Sequence, residues 1–200
     1  MIKAIVMGIE GTTTRKDFTQ KVLEPYARQQ MEPFIRSHYP NHPEVSALVK
    51  KVAIFKKLEG GDVDGICAQF KGHIFSDVAT SFWKWQSKQI ELHTFSNGKT
   101  EAQRLILTYS LAGDLSRLIG HFFDAKTGPK NEVASYLTIA ETSGFHPNEV
   151  IYLSDVYTEL KAAHEAGMQV FQVMRDETLD LQIEFPKVNG LDEIELEDRK

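Results

Sequence analysis

Ile2–Ile9 is a short apolar run rich in β-branched residues and closed by Gly11, which predicts a buried strand. Ile90–Phe95, Val150–Leu153 and Gln169–Val173 have the same character, and Ile119–Phe123 is a shorter candidate. The segments between them carry helical spacing. Val78–Gln86, Thr100–Tyr109, a stretch from Pro129 to about Ser143 before Gly144, and Tyr157–Ala166 closed by Gly167 each predict a helix. Strands that alternate with helices imply a parallel sheet covered on both faces.

The first strand is not followed at once by a second. Lys16–His38 is periodic through Phe18, Val22, Tyr26 and Ala27, with Pro25 and Pro33 expected to kink or divide it. Tyr39–Pro43 is a break, and Glu44–Lys57 is helical again until Glu59-Gly-Gly-Asp62. A helical insert over residues 15–74, between a first segment 1–14 and a core of 75–200, accounts for this order.

Composition narrows the class. The 200 residues are 42% hydrophobic and 26% charged, enough for a core and too apolar for disorder. The net charge of −5 is local, because residues 176–200 hold nine carboxylates and three basic residues. A near-neutral body with an acidic tail gives no electrostatic case for nucleic acid or an anionic membrane. Cys67 is the only cysteine, expected as a small buried hydrophobe, and rules out an intrachain disulfide. No apolar stretch reaches a membrane span, and the N-terminus lacks signal-peptide features, so a cytoplasmic monomer is the expectation.

In an open parallel sheet, ligands bind beyond the carboxyl ends of the strands. Gly8, Glu10 and Thr12–Thr14 follow the first strand; Ser96-Asn97-Gly98 follow Phe95; Ser154-Asp155 follow Leu153, with Glu159 one helical turn on. Lys130 stands in Thr127-Gly-Pro-Lys130. A hydroxyl, a lysine and two or three carboxylates on one edge suit a Mg²⁺ ion and a phosphate, since hard oxygens ligate the metal and donors hold phosphate oxygens.

The strings Ile9-Glu-Gly-Thr-Thr-Thr14, Val22-Leu-Glu-Pro-Tyr-Ala-Arg28, Lys71-Gly-His-Ile-Phe-Ser-Asp-Val78, Phe95-Ser-Asn-Gly98, Thr127-Gly-Pro-Lys130 with Ala134-Ser-Tyr136, and Leu153-Ser-Asp-Val156 are similar to one family. It is the enolase-phosphatase (acireductone synthase) family of methionine salvage, within the haloacid dehalogenase superfamily. The resemblance runs from the first strand to about residue 175. It implies a doubly wound α/β core with a small helical cap after the first strand. It also implies a Mg²⁺-dependent activity on a small diketo-phosphate ester, enolisation followed by dephosphorylation. By the same resemblance Glu10 is the acid/base group and lends a backbone carbonyl to the metal. Ser96 and Asn97 hold phosphate and substrate, Lys130 neutralises phosphate charge, and Asp155 is the metal-binding carboxylate.

Two departures stand out. The family's nucleophilic and metal-binding Asp is Gly8 in this chain. Without that oxyanion, covalent phosphoryl transfer loses its attacking group and the metal an anionic ligand. The stretch between Tyr39 and Lys71 also looks shorter than the family's cap. A deliberate substitution, a natural non-catalytic homologue or an error in the sequence would each account for Gly8, and divergence of one natural protein accounts for both departures. The resulting expectation is a phosphatase-like hydrolase, impaired as written, with weakened Mg²⁺ binding. A non-catalytic homologue that binds a phosphometabolite or a protein partner is the alternative.

Plainer readings compete at each position. Asp155 could cap the next helix, Ser96 and Asn97 could simply make a turn, and Lys130 could be a solvated helix-start lysine. His73, His93, His121 and His164 show no ligand spacing and read as surface or satisfied core residues. Trp83, Trp85, Phe122 and Phe123 read as packing residues, and Asp17 is a remote substitute carboxylate.

Overall fold

The computed structural model describes residues 1–18, 21, 25, 37, 43, 74–175 and 184–196. The chain divides into two compact units, residues 1–16 with 71–200, and residues 17–70. Most of the expected insert, Cys67 and His73 among it, lies outside the described residues, as does much of the acidic tail.

In the larger unit six parallel strands form one sheet: β1 (Ala4–Met7), β2 (Glu91–Phe95), β3 (Ile119–Phe123), β4 (Val150–Ser154), β5 (Gln169–Val173) and β6 (Lys187–Val188). Their spatial order is β3-β2-β1-β4-β5-β6. The strands pair outward in both directions from the β1/β4 neighbours, so the loops leaving β1 and β4 diverge and open a crevice there. In register, Met7 pairs with both Thr94 and Leu153.

Among the described residues, four helices cover the sheet: α1 (Ser76–Ser87), α2 (Thr100–Thr108), α3 (Val133–Ser143) and α4 (Tyr157–Glu165). Side chains alternate across a strand, so a strand buried on both faces reads as a continuous apolar run. Ile5 and Met7 of β1 join Ile151 and Leu153 of β4 in a core with Val78, Phe82 and Trp85 of α1 and Leu107 of α2. Ala4, Val6, Val150 and Tyr152 join the opposite core with Tyr136 and Ile139 of α3 and Leu160 of α4. This is the doubly wound α/β architecture.

Two expectations are corrected, and one strand was not expected. The helix after Pro129 starts at Val133, because the Pro129 and Lys130 carbonyls accept hydrogen bonds from the Ser135 and Tyr136 hydroxyls (2.7 and 2.6 Å). Trp83 is not a packing residue but 59% exposed, since the buried stripe of α1 runs through Val78, Phe82 and Trp85. The two-residue β6 follows no visible apolar run. His93 is a buried core residue: its Nδ1 accepts the His121 N–H at 3.0 Å, and burial, aided by His121, pushes its pKa down to about 4.

Arg175, just past β5, ties the β1 loop to the rest of the unit. Its two terminal nitrogens each donate to an Asp77 carboxylate oxygen at 2.8 Å, while Nε donates to the Thr12 carbonyl at 3.1 Å. The Leu191 N–H adds a bond of 2.6 Å to the same carboxylate. Burial alone would raise the Asp77 pKa, but these donors and the arginine charge outweigh it and lower it. Asp77 therefore stays ionised in the folded protein after the unfolded chain has begun to take up its proton. That stability is present above about pH 4 and is lost as pH falls through the lower folded value. Asp77→Asn is expected to cost about 2–3 kcal/mol at neutral pH and to flatten the acid side of the stability profile. Denaturant titrations from neutral to acid pH check both effects.

Candidate active site

The loop after β1 is a tight knot of backbone hydrogen bonds. Gly8 N–H extends the β1–β4 ladder to the Leu153 carbonyl (3.0 Å), Thr13 and Thr14 N–H both reach Ile9 O (3.0 and 2.9 Å), and Gly11 N–H reaches Thr14 O (2.7 Å). Gly11 has φ +77°, and a Cβ there would lie 2.4 Å from Asp155 Oδ2. Only glycine allows both that backbone and that approach of a carboxylate.

Gly8 differs. Its φ lies outside the left-handed region, but a Cβ would stand 3.0 Å from Thr12 Oγ1. The Thr12 hydroxyl leans into the room that a side chain at position 8 would use. It is buried and has no hydrogen-bond partner. Glu10, two residues on, is exposed and bridges to Thr14.

Asp155 follows β4 and is 5% exposed. It does not cap α4, whose N-cap is Val156 with no side-chain capping bond. Instead its Oδ2 lies 2.5 Å from the Nζ of Lys16, whose side chain is 53% exposed. The sequence reading missed Lys16, which carries no strand-end signal.

The Lys130 side chain turns toward α4. Its Nζ donates to Glu159 Oε2 at 2.7 Å, and that oxygen also accepts from Tyr152 Oη (2.7 Å) and Ser154 Oγ (2.8 Å). The Lys130 and Glu159 side chains are only 14% and 12% exposed. Burial and the Glu159 charge push the Tyr152 hydroxyl well above its ordinary range, and burial raises Tyr136 too, so both remain donors. Lys130 Nζ also stands 5.6 Å over the Phe95 ring. Ser154, a strand-end candidate in the sequence, takes part through Glu159, and Tyr152 is a further missed participant, hidden inside the apolar run of β4.

Ser96 and Asn97 sit at the end of β2. Ser96 is half-buried, its Oγ accepting the Gly98 N–H (3.2 Å), and Asn97 is exposed. Gln103 of α2 pins this turn: its amide donates to the carbonyls of Gly98 and Phe123 (both 2.8 Å) and accepts from Thr94 Oγ1 (2.7 Å). The pairing of Met7 with Thr94 and Leu153 sets Gly8, Ser96 and Asp155 just past the ends of three adjacent strands. Thr12 and Asp155 fill the space where side chains at positions 8 and 11 would stand, Asp155 pairs with Lys16, and Lys130 pairs with Glu159. Among the described residues, no three His, Cys, Asp or Glu side chains converge as a metal cluster.

No family model matches the chain. The enolase-phosphatase E1 of Serratia proteamaculans is 36% identical, with 98% of each chain covered, and that of Yersinia enterocolitica is 34% identical with the same coverage. The chain belongs to the enolase-phosphatase family. The Serratia alignment occupies 228 positions against 200 residues in this chain, so that relative carries segments this enolase-phosphatase homologue lacks. Among solved structures, the UTR4 protein of Saccharomyces cerevisiae superposes with a TM-score of 0.77 at 20% identity, covering 97% of this chain and all of that one. A haloacid dehalogenase-type phosphatase from Thermococcus onnurineus gives 0.62 at 16% identity, covering 96% of this chain and 95% of that one. The core of this enolase-phosphatase family member has the haloacid dehalogenase fold.

Proposed function

We propose that this edge is an enolase-phosphatase-type site for a small phosphate monoester of methionine salvage, and that Gly8 leaves it able to bind the ester but not to turn it over. The observation that carries this reading is the placement of Gly8 where β1 meets β4, with buried Asp155 closed against the loop at Gly11. The Ser96 hydroxyl and Asn97 amide are donors for phosphate oxygens, and the Lys130 ammonium supplies positive charge. Glu159, Tyr152 and Ser154 orient that ammonium. The exposed carboxylate of Glu10 is the group available to move a proton on a carbonyl substrate.

A bound Mg²⁺ would supply charge neutralisation of phosphate oxygens and polarisation of a carbonyl. Asp155 and the Glu10 carbonyl would hold it, and hard oxygens suit that ion. The donors fit in kind and are few in number, with one anionic side chain, so affinity is low. A bond from oxygen to phosphorus needs a nucleophile, and glycine offers none.

Calorimetric titration with phosphate monoesters and their parent alcohols tests the reading. The native chain is expected to bind an ester, and Ser96→Ala to weaken that binding about tenfold, the loss of one hydrogen bond to a charged group. Equal heats from ester and alcohol, or none from either, would overturn it.

A further inference from the structure

We propose that the Lys16 ammonium is the resident cation of Asp155, occupying the carboxylate that a divalent ion would otherwise take and making ligand binding at this edge independent of metal. The proposal rests on Asp155 belonging to the phosphate site described above.

Three observations carry it. Lys16 Nζ lies 2.5 Å from Asp155 Oδ2, the oxygen that faces Gly11. Asp155 is 3% exposed in its side chain, so its charge needs a counter-charge near at hand, and among the described residues the Lys16 ammonium is the cation in contact, a charge contact without hydrogen-bond geometry at Oδ2. Gly8 adds no second carboxylate. The pair is therefore electrically closed: one buried negative charge against one positive charge. A Mg²⁺ ion on the same oxygen would have to displace the ammonium or sit within a few ångströms of a like charge. It also sheds its water reluctantly for a single carboxylate. Lys16 reaches Asp155 from a half-exposed position, so its tip can also face an anionic ligand entering the crevice, as a metal would.

The test is a Mg²⁺ titration by calorimetry, repeated with Mn²⁺ by water-proton relaxation, on the native chain, Lys16→Gln, Lys16→Arg and Lys16→Gln/Asp155→Asn. Lys16→Gln is expected to bind Mg²⁺ at least about tenfold more tightly than the native chain, Lys16→Arg to stay as weak as native, and the double variant to lose the gain. Lys16→Gln leaves the buried Asp155 carboxylate without its counter-charge, so circular dichroism checks that it folds, and Lys16→Gln/Asp155→Asn, which removes both charges, serves as its folded control. Native binding as tight as that of Lys16→Gln would overturn the proposal. So would Lys16→Gln that gains nothing. A phosphate monoester titrated into the native chain with EDTA present separates the two readings. Binding that persists is expected; binding that appears only when Mg²⁺ is restored overturns the resident-cation proposal and leaves the phosphate site standing.

Discussion

Gly8→Asp is expected to raise phosphate release by about 10⁵-fold over the native chain, the order of effect seen when a nucleophile is removed from an otherwise intact catalytic set. The backbone at Gly8 is outside the left-handed region, so an aspartate adopts it without strain. The new Cβ meets Thr12 Oγ1 at 3.0 Å, which is tight. Turning that hydroxyl away breaks no hydrogen bond, because it makes none. The gain comes from placing an oxyanion beside Asp155 at the mouth of β1. It requires the aspartate oxygen to displace the ester's alcohol from phosphorus, the leaving oxygen taking up a proton, and water then to release inorganic phosphate from the acyl phosphate and regenerate the carboxylate. Initial rates with a panel of phosphate esters and Mg²⁺ check it. Gly8→Ala, which imposes the same Cβ without the carboxylate, is expected to remain as slow as the native protein.

The largest stability effect is expected at Glu159. Its Oε2 accepts from Lys130, Tyr152 and Ser154, and both charged partners are largely out of water. Glu159→Ala leaves a sequestered ammonium and two hydroxyls without an acceptor, at a cost of about 3–5 kcal/mol. The cost belongs to the orphaned charge and not to the pair's net worth. Lys130→Met with Glu159→Leu should therefore recover most of the loss while abolishing phosphate-ester binding. Denaturant unfolding of the single and double variants gives both numbers. A double variant as unstable as Glu159→Ala would show that the hydroxyls, not the ammonium, carry the penalty.

The parts of the fold legible in the sequence are those whose burial leaves a repeating mark. β1 and β4 lie at the centre of the sheet, buried on both faces, and so appear as unbroken apolar runs. β6 pairs through two residues at the sheet edge and leaves no period to detect. The start of α3 was misplaced because a proline usually marks the first turn of a helix, whereas here side-chain hydroxyls capture the carbonyls after Gly128. In the site, the strand-end rule located Gly8, Ser96 and Asp155, since topology alone carries those positions to one edge. It could not locate their partners. Lys16 meets Asp155 across 139 positions of sequence, and Tyr152 is a polar hydroxyl on a residue that counts as apolar in a pattern. Both are products of the tertiary fold.

The proposed phosphate site holds its ligand and lacks its nucleophile. A ³¹P spectrum of a phosphate monoester mixed with the native chain tests it most directly, because one sample reports binding and turnover together. The ester resonance should shift or broaden in proportion to protein added, with no inorganic phosphate growing in over hours. An inorganic phosphate signal rising at the rate given by Gly8→Asp, or an ester resonance that never moves, would contradict the account.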